Sequence, residues 1–242
     1  MLYAITDRRL IAESEASARV RLVELAAEWA ASGVVFIQLR EKDLTAREQV
    51  ELARAMLLAI ASAGRRSACD GLFADGVRSG ATGQGPRATR LLVNGRADVA
   101  LAAGADGVHL PAGPDALTPE EVRRIFAAAE RAQAPTISVS CHTLAEVEAA
   151  RRRSADCILF APVFEKVLRE RGMAATGRAS PILPGTGLEV LQQACRAAAP
   201  VPVFALGGVT AENAADCIRA GAAGVAAIRL MQEPASVWGD LA

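Results

Sequence analysis

The stretch LLVNGRADVALAAGADGVHLPAG, residues 91–113, holds two short apolar runs separated by a segment of helical character. Each run has the length of a buried strand, and a glycine precedes the second one. Two parallel strands need a crossover between them, which is usually a helix. The stretch therefore predicts a parallel βαβ unit.

The same alternation continues along the chain. Apolar positions between the runs recur with the spacing of one helical face, as Leu22, Leu25 and Trp29 illustrate. Eight such units predict an α/β fold, a single (β/α)8 TIM barrel of the phosphate-binding type over residues 1–242, with a doubly wound open sheet as the alternative. The predicted strands are residues 2–6, 34–39, 90–94, 107–110, 136–140, 157–162, 202–206 and 224–228.

Capping boxes mark the starts of three predicted helices. In each box a threonine and a glutamate three residues later satisfy free amides of the first turn. The pairs are Thr45 with Glu48, Thr118 with Glu121, and Thr143 with Glu146.

Two stretches interrupt the alternation. Residues 64–90, rich in Gly, Arg and Ser, are predicted to be a surface insertion before the third strand. Residues 165–187 follow the sixth strand and contain several Gly and Pro residues. Because they leave the end of a barrel strand, we expect them to form a lid loop.

The composition indicates a partner that is a small molecule. Lys plus Arg (27) equals Asp plus Glu (27), so no strongly basic surface is expected to bind nucleic acid or membrane lipid. Five scattered cysteines without a CxxC pair are expected to be reduced thiols. The sequence shows the pattern of neither a signal peptide nor a membrane span, so we expect a cytoplasmic protein. A homodimer is one option for its oligomeric state.

Polar residues at strand ends are the candidate site residues, because TIM barrels build their active sites there. Gln38, Arg40 and Lys42 alternate onto one side of the segment after the second strand. An amide and two cations suit a phosphate or diphosphate, although an exposed charged turn has the same composition. We favour the site.

Glycines after the seventh strand indicate a second anion-binding feature. Gly207 and Gly208 expose backbone amides, and Thr210 begins the next helix, whose N-terminus favours anions. Together with the loop after the eighth strand, these residues predict the phosphate cup that is usual in such barrels. Arg229 either adds charge to this cup or lies on the surface.

His142 is the candidate proton acceptor. It follows the fifth strand and precedes the helix cap Thr143, and the positive helix end favours a neutral imidazole. Its position alone is more typical of an ordinary polar loop residue than of a catalyst, and His109, near the end of the fourth strand, is the weaker candidate. Cys141 adjoins His142, but the side chains of neighbouring residues diverge, so we expect no Cys–His nucleophile pair.

These segments together resemble the thiamine phosphate synthase and TenI-type thiazole tautomerase superfamily of phosphate-binding barrels. The resemblance covers most of the chain. It is carried by YAITD (3–7), QLREK (38–42), LLVNGRADVALAAGADGVHLP (91–111), SVSCHT (138–143), ADCILFAPVFEK (155–166), GTGLEVL (185–191) and VFALGGVTAEN (203–213).

The synthase branch expels pyrophosphate, which needs Mg²⁺ and acidic ligands. In that branch an aspartate follows the asparagine after the third strand, and a second lies beyond the fourth strand. This chain has Gly95 at the first position, and Asp115 lies one step out of register with the second. FEKVLRERG (164–172) replaces the threonine-rich phosphate loop of that branch.

The tautomerase branch has the same Asn-Gly and Leu-Pro pairs as this chain. Its reaction moves a proton within a phosphorylated dihydrothiazole carboxylate to give the aromatic thiazole, which needs an acid–base group but no metal. The resemblance therefore implies a thiazole tautomerase without a cofactor. It places the catalytic histidine at His142.

The resemblance also assigns the residues that hold the substrate. It implies that Arg40 and Lys42 face the thiazole carboxylate or ring and that Asn94 orients the substrate. The full set implied is Gln38, Arg40, Lys42, Asn94, Ser140 and Lys166 for the substrate, Gly207, Gly208, Ala227 and Ile228 for the phosphate, and no residue for a metal.

Three alternatives stay open. A synthase would require Mg²⁺, with Asp115 or Asp43 as its ligand. A non-catalytic barrel that binds thiamine-pathway phosphates would also need the cations. Another phosphate-binding barrel enzyme, such as an epimerase, ranks last, because the chain has only two histidines for a metal site.

Overall fold

The computed structural model describes residues 1–11, 14–63, 89–167 and 182–239. For Lys166, Val167 and Ile182 this description covers the backbone alone.

Eight parallel strands close into a barrel in the order β1-β10-β9-β6-β5-β4-β3-β2. All eight predicted strands are present, shifted by at most two residues at either end, and closure rules out the open sheet. A separate antiparallel pair, β7 with β8, follows β6. The strands are β1 Leu2–Ile5, β2 Phe36–Leu39, β3 Arg90–Asn94, β4 Gly107–Leu110, β5 Thr136–Cys141, β6 Cys157–Phe160, β7 Lys166–Val167, β8 Ile182–Leu183, β9 Val203–Leu206 and β10 Gly224–Ala227.

Helices follow the barrel strands and cover their outer faces. The predicted apolar face of the first helix is confirmed, since Leu22, Leu25 and Trp29 are buried. All three predicted capping boxes form. The helices are α1 Glu15–Ala31, α2 Ala46–Ala63, α3 Ala97–Ala103, α4 Pro119–Ala128, α5 Leu144–Arg152, α6 Leu188–Ala198, α7 Ala211–Arg219 and α8 Ala235–Trp238.

The barrel interior is packed with side chains from alternate strand positions. Near its amino end lie the rings of Tyr3, Phe36 and Phe204, with centroids 5.4 to 5.8 Å apart and tilted or edge-on contacts. Such aromatic packing closes the bottom of the barrel. The polar side chains inside the barrel therefore reach solvent through the opposite, carboxyl end.

Two sequence predictions fall largely outside the described residues. The insertion at residues 64–90 is described only at Thr89 and Arg90, and the predicted lid at 165–187 only at its two ends. The four cysteines that the structure describes are free thiols, as expected. Within the described ranges, no helix combines the length and apolar character needed to cross a membrane.

Candidate active site at the carboxyl end of the barrel

Gln38 and Asn94 meet at the mouth of the barrel. Gln38 lies next to the last residue of β2 and is buried, and its Nε2 donates to Oδ1 of Asn94 at 2.9 Å. Oε1 of Gln38 is buried without a hydrogen-bond partner. Because a buried orphan acceptor is costly, this oxygen is suited to receive a donor from a ligand.

Arg40 and Lys42 bring positive charge to the same end of the barrel. Burial, aided by the charges of Arg40 and Lys42, lowers the pKa of His109 from 6.5 to about 3. Both cations are thus close enough to the barrel interior to act on a buried ring. That Arg40 and Lys42 face the mouth stays a prediction.

A buried ion-pair cluster holds the segment that carries these cations. Glu41 is buried, and its Oε2 accepts from Arg8 Nη1 at 2.8 Å. Its other oxygen accepts from the hydroxyl of Thr6 at 2.6 Å and from the backbone N–H of Arg8 at 3.1 Å. Arg8 also pairs with Asp43 at 2.6 Å and Glu15 at 2.9 Å. The contacts of Glu41 therefore hold the backbone between Arg40 and Lys42 in place.

His109 lies near the end of β4, as the sequence places it, and its ring is buried inside the barrel. Nδ1 lies 2.7 Å from the hydroxyl of Ser138, and Nε2 lies 2.9 Å from the hydroxyl of Ser140. The hydroxyl of Tyr3 lies 2.9 Å from that of Ser138. Both ring nitrogens are engaged, so His109 has no free position with which to accept a proton from a substrate. The alternation in GVHL, which points His109 inward with Asn94 and Ser138, was the signal available in the sequence.

His142 lies at the rim, after the end of β5. Its Nδ1 lies 2.6 Å from the carbonyl oxygen of Ala161, beyond the end of β6. A carbonyl can only accept, so Nδ1 carries the proton. In the neutral form of the ring, the lone pair lies on Nε2, for which the described residues provide no partner. In that form His142 offers a base at the rim.

Cys141 is not a nucleophile partner for His142. Its side chain is buried, and burial, with a smaller contribution from Glu146, raises the pKa of the thiol to about 12. A thiol that stays protonated is unreactive. The structure thus agrees with the expectation from the sequence.

The predicted phosphate cup is assembled from two neighbouring strands. Gly207 and Gly208 follow β9, Ala227 ends β10 and Ile228 follows it, and β10 pairs with β9. Both glycines have positive φ, +93° and +65°. A Cβ on either one would lie 2.6 to 2.8 Å from residues 162–165. The backbone conformation and the close packing therefore require glycine at both positions.

The remaining predicted site residues are less central. Thr210 caps α7 as predicted, through a capping box with Asn213. Arg229 is exposed beyond β10, which corresponds to the surface alternative. Lys166 lies in β7, and its side chain lies outside the described part of the chain. Ser140 is half-buried at the mouth beside His109.

Gly95 lines a cavity of about 330 Å³ together with Asp115 and the loop that starts at Pro111. Its φ is +67°, and a Cβ there would meet Pro111 Cδ at 3.8 Å, an ordinary contact. The position has room for a side chain but a backbone conformation that favours glycine. Backbone geometry therefore accounts for Gly95 in addition to the space it leaves for substrate.

The described residues include both acidic side chains considered as ligands of the magnesium site that the synthase resemblance implies. Within them, no group of three or more His, Cys, Asp or Glu side chains could hold a metal ion. Asp43, one of the two ligands considered, pairs with Arg8 and Arg9. Asp115 is the acidic side chain that shares the Gly95 cavity.

Comparisons with known proteins agree on one family. A sequence model described as thiamine monophosphate synthase matches residues 77–231, more than half of the chain. A putative thiamine-phosphate synthase of Geobacter sulfurreducens is 38% identical over 94% of this chain and 84% of its own length. A thiamine-phosphate synthase of Methanoculleus marisnigri is 35% identical over 94% of this chain and 85% of its own length.

A solved structure gives the same answer. Thiamine phosphate pyrophosphorylase from Pyrococcus furiosus aligns with a TM-score of 0.66 and 26% identity, covering 99% of this chain and 90% of that one. The resemblance implied two enzyme functions, a synthase and a tautomerase. The names of these relatives give the synthase and not the tautomerase. The chain belongs to the thiamine phosphate synthase/TenI family.

Proposed function

We propose that this chain is a metal-independent thiazole tautomerase, which aromatises a phosphorylated dihydrothiazole carboxylate. The observation that carries the proposal is the base at the rim: His142 is held by Ala161 in the tautomer that leaves Nε2 unprotonated. Function depends on the residues of a site more than on the fold that carries them. The site residues here suit proton transfer better than pyrophosphate expulsion.

The proton transfer needs one base and no other reactant. Nε2 of His142 takes a proton from a ring carbon of the dihydrothiazole, and the electron pair shifts into the ring. Because the reaction is an isomerisation, the proton returns to another atom of the same molecule. His142 ends the cycle neutral, and the substrate leaves as the aromatic thiazole.

The rest of the mouth binds and orients the substrate. Backbone amides of the Gly207–Gly208 and Ala227–Ile228 turns would hold the phosphate. Arg40 and Lys42 offer positive charge to the carboxylate, and the orphan Oε1 of Gln38 accepts a donor from the ligand. A site of this kind, with two cations and no acidic cluster among the described residues, suits a substrate with two anionic groups.

The test follows the aromatisation by absorbance, with and without a chelator of divalent cations. We expect activity in both conditions, and a loss of about 10²- to 10⁴-fold in kcat for His142→Gln, which keeps a polar side chain but cannot act as the base. Arg151→Gln, an exposed change on α5, is the matched control and should keep full activity. Full activity of His142→Gln, or none in the unmodified chain, would contradict the proposal.

A thiamine-phosphate synthase is the second candidate, favoured by the names of the relatives that cover 94% of this chain. One observation of the site also favours it: Asp115 shares a cavity with Gly95, so a carboxylate is within reach of the position where that branch has aspartate. When bound, Mg²⁺ would neutralise the charge of the departing pyrophosphate.

Pyrophosphate release from pyrimidine diphosphate and thiazole phosphate distinguishes the two candidates. A synthase predicts release that requires Mg²⁺ and is lost in Asp115→Asn. A tautomerase predicts no release under the same conditions. Asp98→Asn, an exposed acid on α3, is the control for a general effect of charge.

A further inference from the structure

A chain of hydrogen bonds runs up the barrel interior from Tyr3 to the active-site mouth. It joins Tyr3 Oη to Ser138 Oγ at 2.9 Å, Ser138 Oγ to His109 Nδ1 at 2.7 Å, and His109 Nε2 to Ser140 Oγ at 2.9 Å. Tyr3 and Ser138 are fully buried and His109 nearly so, whereas Ser140 is half-buried. The chain therefore connects the dry interior to the mouth.

The ring of His109 is neutral and has one proton. Burial, with smaller contributions from Arg40 and Lys42, lowers its pKa to about 3. A neutral imidazole donates from one nitrogen and accepts at the other. The ring therefore donates to one of the two serine hydroxyls and accepts from the other, and the tautomer decides which.

The buried end at Tyr3 decides the direction. Burial keeps the pKa of the Tyr3 hydroxyl well above its usual value, so this group stays protonated and needs an acceptor. Among the described residues, Ser138 is the hydrogen-bond partner that the structure gives it. If the chain ran downward, the hydroxyl of Ser138 would donate to Tyr3, whose own proton would be left buried without an oxygen or nitrogen acceptor, at a cost of about 1 to 3 kcal/mol.

Cys157 offers the remaining alternative. Its thiol lies beside Ser138, and burial raises the pKa of this thiol well above its usual value. Ser138 has one proton, which either the ring nitrogen of His109 or the sulfur of Cys157 could accept. An imidazole nitrogen is a much stronger acceptor than a thiol sulfur, so the hydroxyl of Ser138 donates to Nδ1, which lies 2.7 Å away.

We propose that Tyr3 is a positioning residue that, through Ser138, fixes His109 as the Nε2–H tautomer. Nε2–H then donates to Ser140, whose own hydroxyl proton is left to point toward a bound ligand. In the opposite tautomer, the hydroxyl of Ser140 would instead donate this proton to Nε2 of His109. A tyrosine at the floor of the barrel thus makes Ser140 a hydrogen-bond donor for an anionic oxygen at the mouth.

This inference deepens the proposed function, since it gives Ser140 a direction toward the substrate, but its first test needs no substrate. Long-range proton–nitrogen NMR of ¹⁵N-labelled protein distinguishes the two neutral tautomers, and the spectrum of His142→Gln assigns the signals to His109. We expect Nε2–H in the unmodified chain. An Nδ1–H ring would overturn the inference.

Tyr3→Phe tests the cause of the tautomer. It keeps the ring and removes the hydroxyl, so Ser138 no longer needs to accept, and we expect a mixture of both tautomers in a folded protein. Cys157→Ala is the matched control in the same layer and should leave Nε2–H unchanged. A pure Nε2–H spectrum in Tyr3→Phe would show that Tyr3 does not set the tautomer.

Binding of thiazole phosphate, measured by calorimetry, tests the consequence. We expect Tyr3→Phe to raise Kd by about fivefold, the effect of weakening one hydrogen bond to a charged group, and Cys157→Ala to leave it unchanged. An unaltered Kd in a Tyr3→Phe protein with mixed tautomers would overturn the role of Ser140 as a directed donor. If aromatisation is not detected at all, the proposed function fails while the tautomer result stands.

Discussion

Gln38 donates a hydrogen bond of 2.9 Å to Asn94 across the mouth of the barrel, and its own oxygen remains buried without a partner. The two residues lie near the carboxyl ends of the neighbouring strands β2 and β3. The bond occupies the acceptor oxygen of Asn94, so its Nδ2 group is left as a donor. The pair therefore offers a ligand one acceptor and one donor in fixed positions.

Gln38→Met should reduce binding of thiazole phosphate with little effect on stability. The variant loses one hydrogen bond but also removes an orphan acceptor, and these two effects on the free energy of unfolding oppose each other. We expect Kd to rise by about fivefold or more, measured by calorimetry. Gln49→Met, which removes a buried glutamine bonded to the carbonyl of Leu44, is the control and should leave Kd unchanged. Equal Kd values for the two variants would contradict a role for Gln38 in binding.

Arg8→Met should destabilise the protein strongly. Arg8 is 4% exposed and Glu41 is 3% exposed, so the change leaves a buried carboxylate without its cation. Breaking such a pair costs about 3 to 5 kcal/mol, which urea denaturation measures. Adding Glu41→Gln to the same chain should recover part of the loss. Arg47→Met, which breaks an exposed pair with Glu51, should cause no measurable change.

The sequence was sufficient to predict the barrel because its signals are local. Strand-length apolar runs, helical faces and capping boxes all act within a few residues, as Thr118 and Glu121 show. The contact of Tyr3 with Ser138 joins residues 135 positions apart and depends on how the strands close, which no local pattern encodes. The burial of Arg8 was missed for the same reason, because its partner Glu41 comes from the next strand.

His109 should make the stability of the protein depend on pH below about 6.5. Its pKa falls from 6.5 to about 3 on folding, so the unfolded chain binds a proton in this range that the folded chain does not. Stability from this group is therefore complete above pH 6.5 and is lost as pH falls toward 3, by up to about 1.4 kcal/mol per pH unit. Urea denaturation between about pH 6.5 and 5, above the range where most carboxylates titrate, measures it. The difference in slope between the unmodified chain and His109→Gln isolates the contribution of His109, and equal slopes would show that the ring titrates normally.

Gly95→Asp tests whether a single substitution is enough to create a metal site in this chain. The side chain has room, since Pro111 lies 3.8 Å from the position of Cβ, but φ of +67° strains a residue other than glycine by about 1 kcal/mol. The new carboxylate would share a cavity with Asp115, and two carboxylates with water suit Mg²⁺. We therefore expect Gly95→Asp to bind Mn²⁺, used as a paramagnetic probe, whereas Gly95→Asn carries the same strain without the charge and should not. Binding that persists in Gly95→Asp with Asp115→Asn would show that Asp115 faces away from the site, and the synthase alternative would then lose the acidic residue on which it depends.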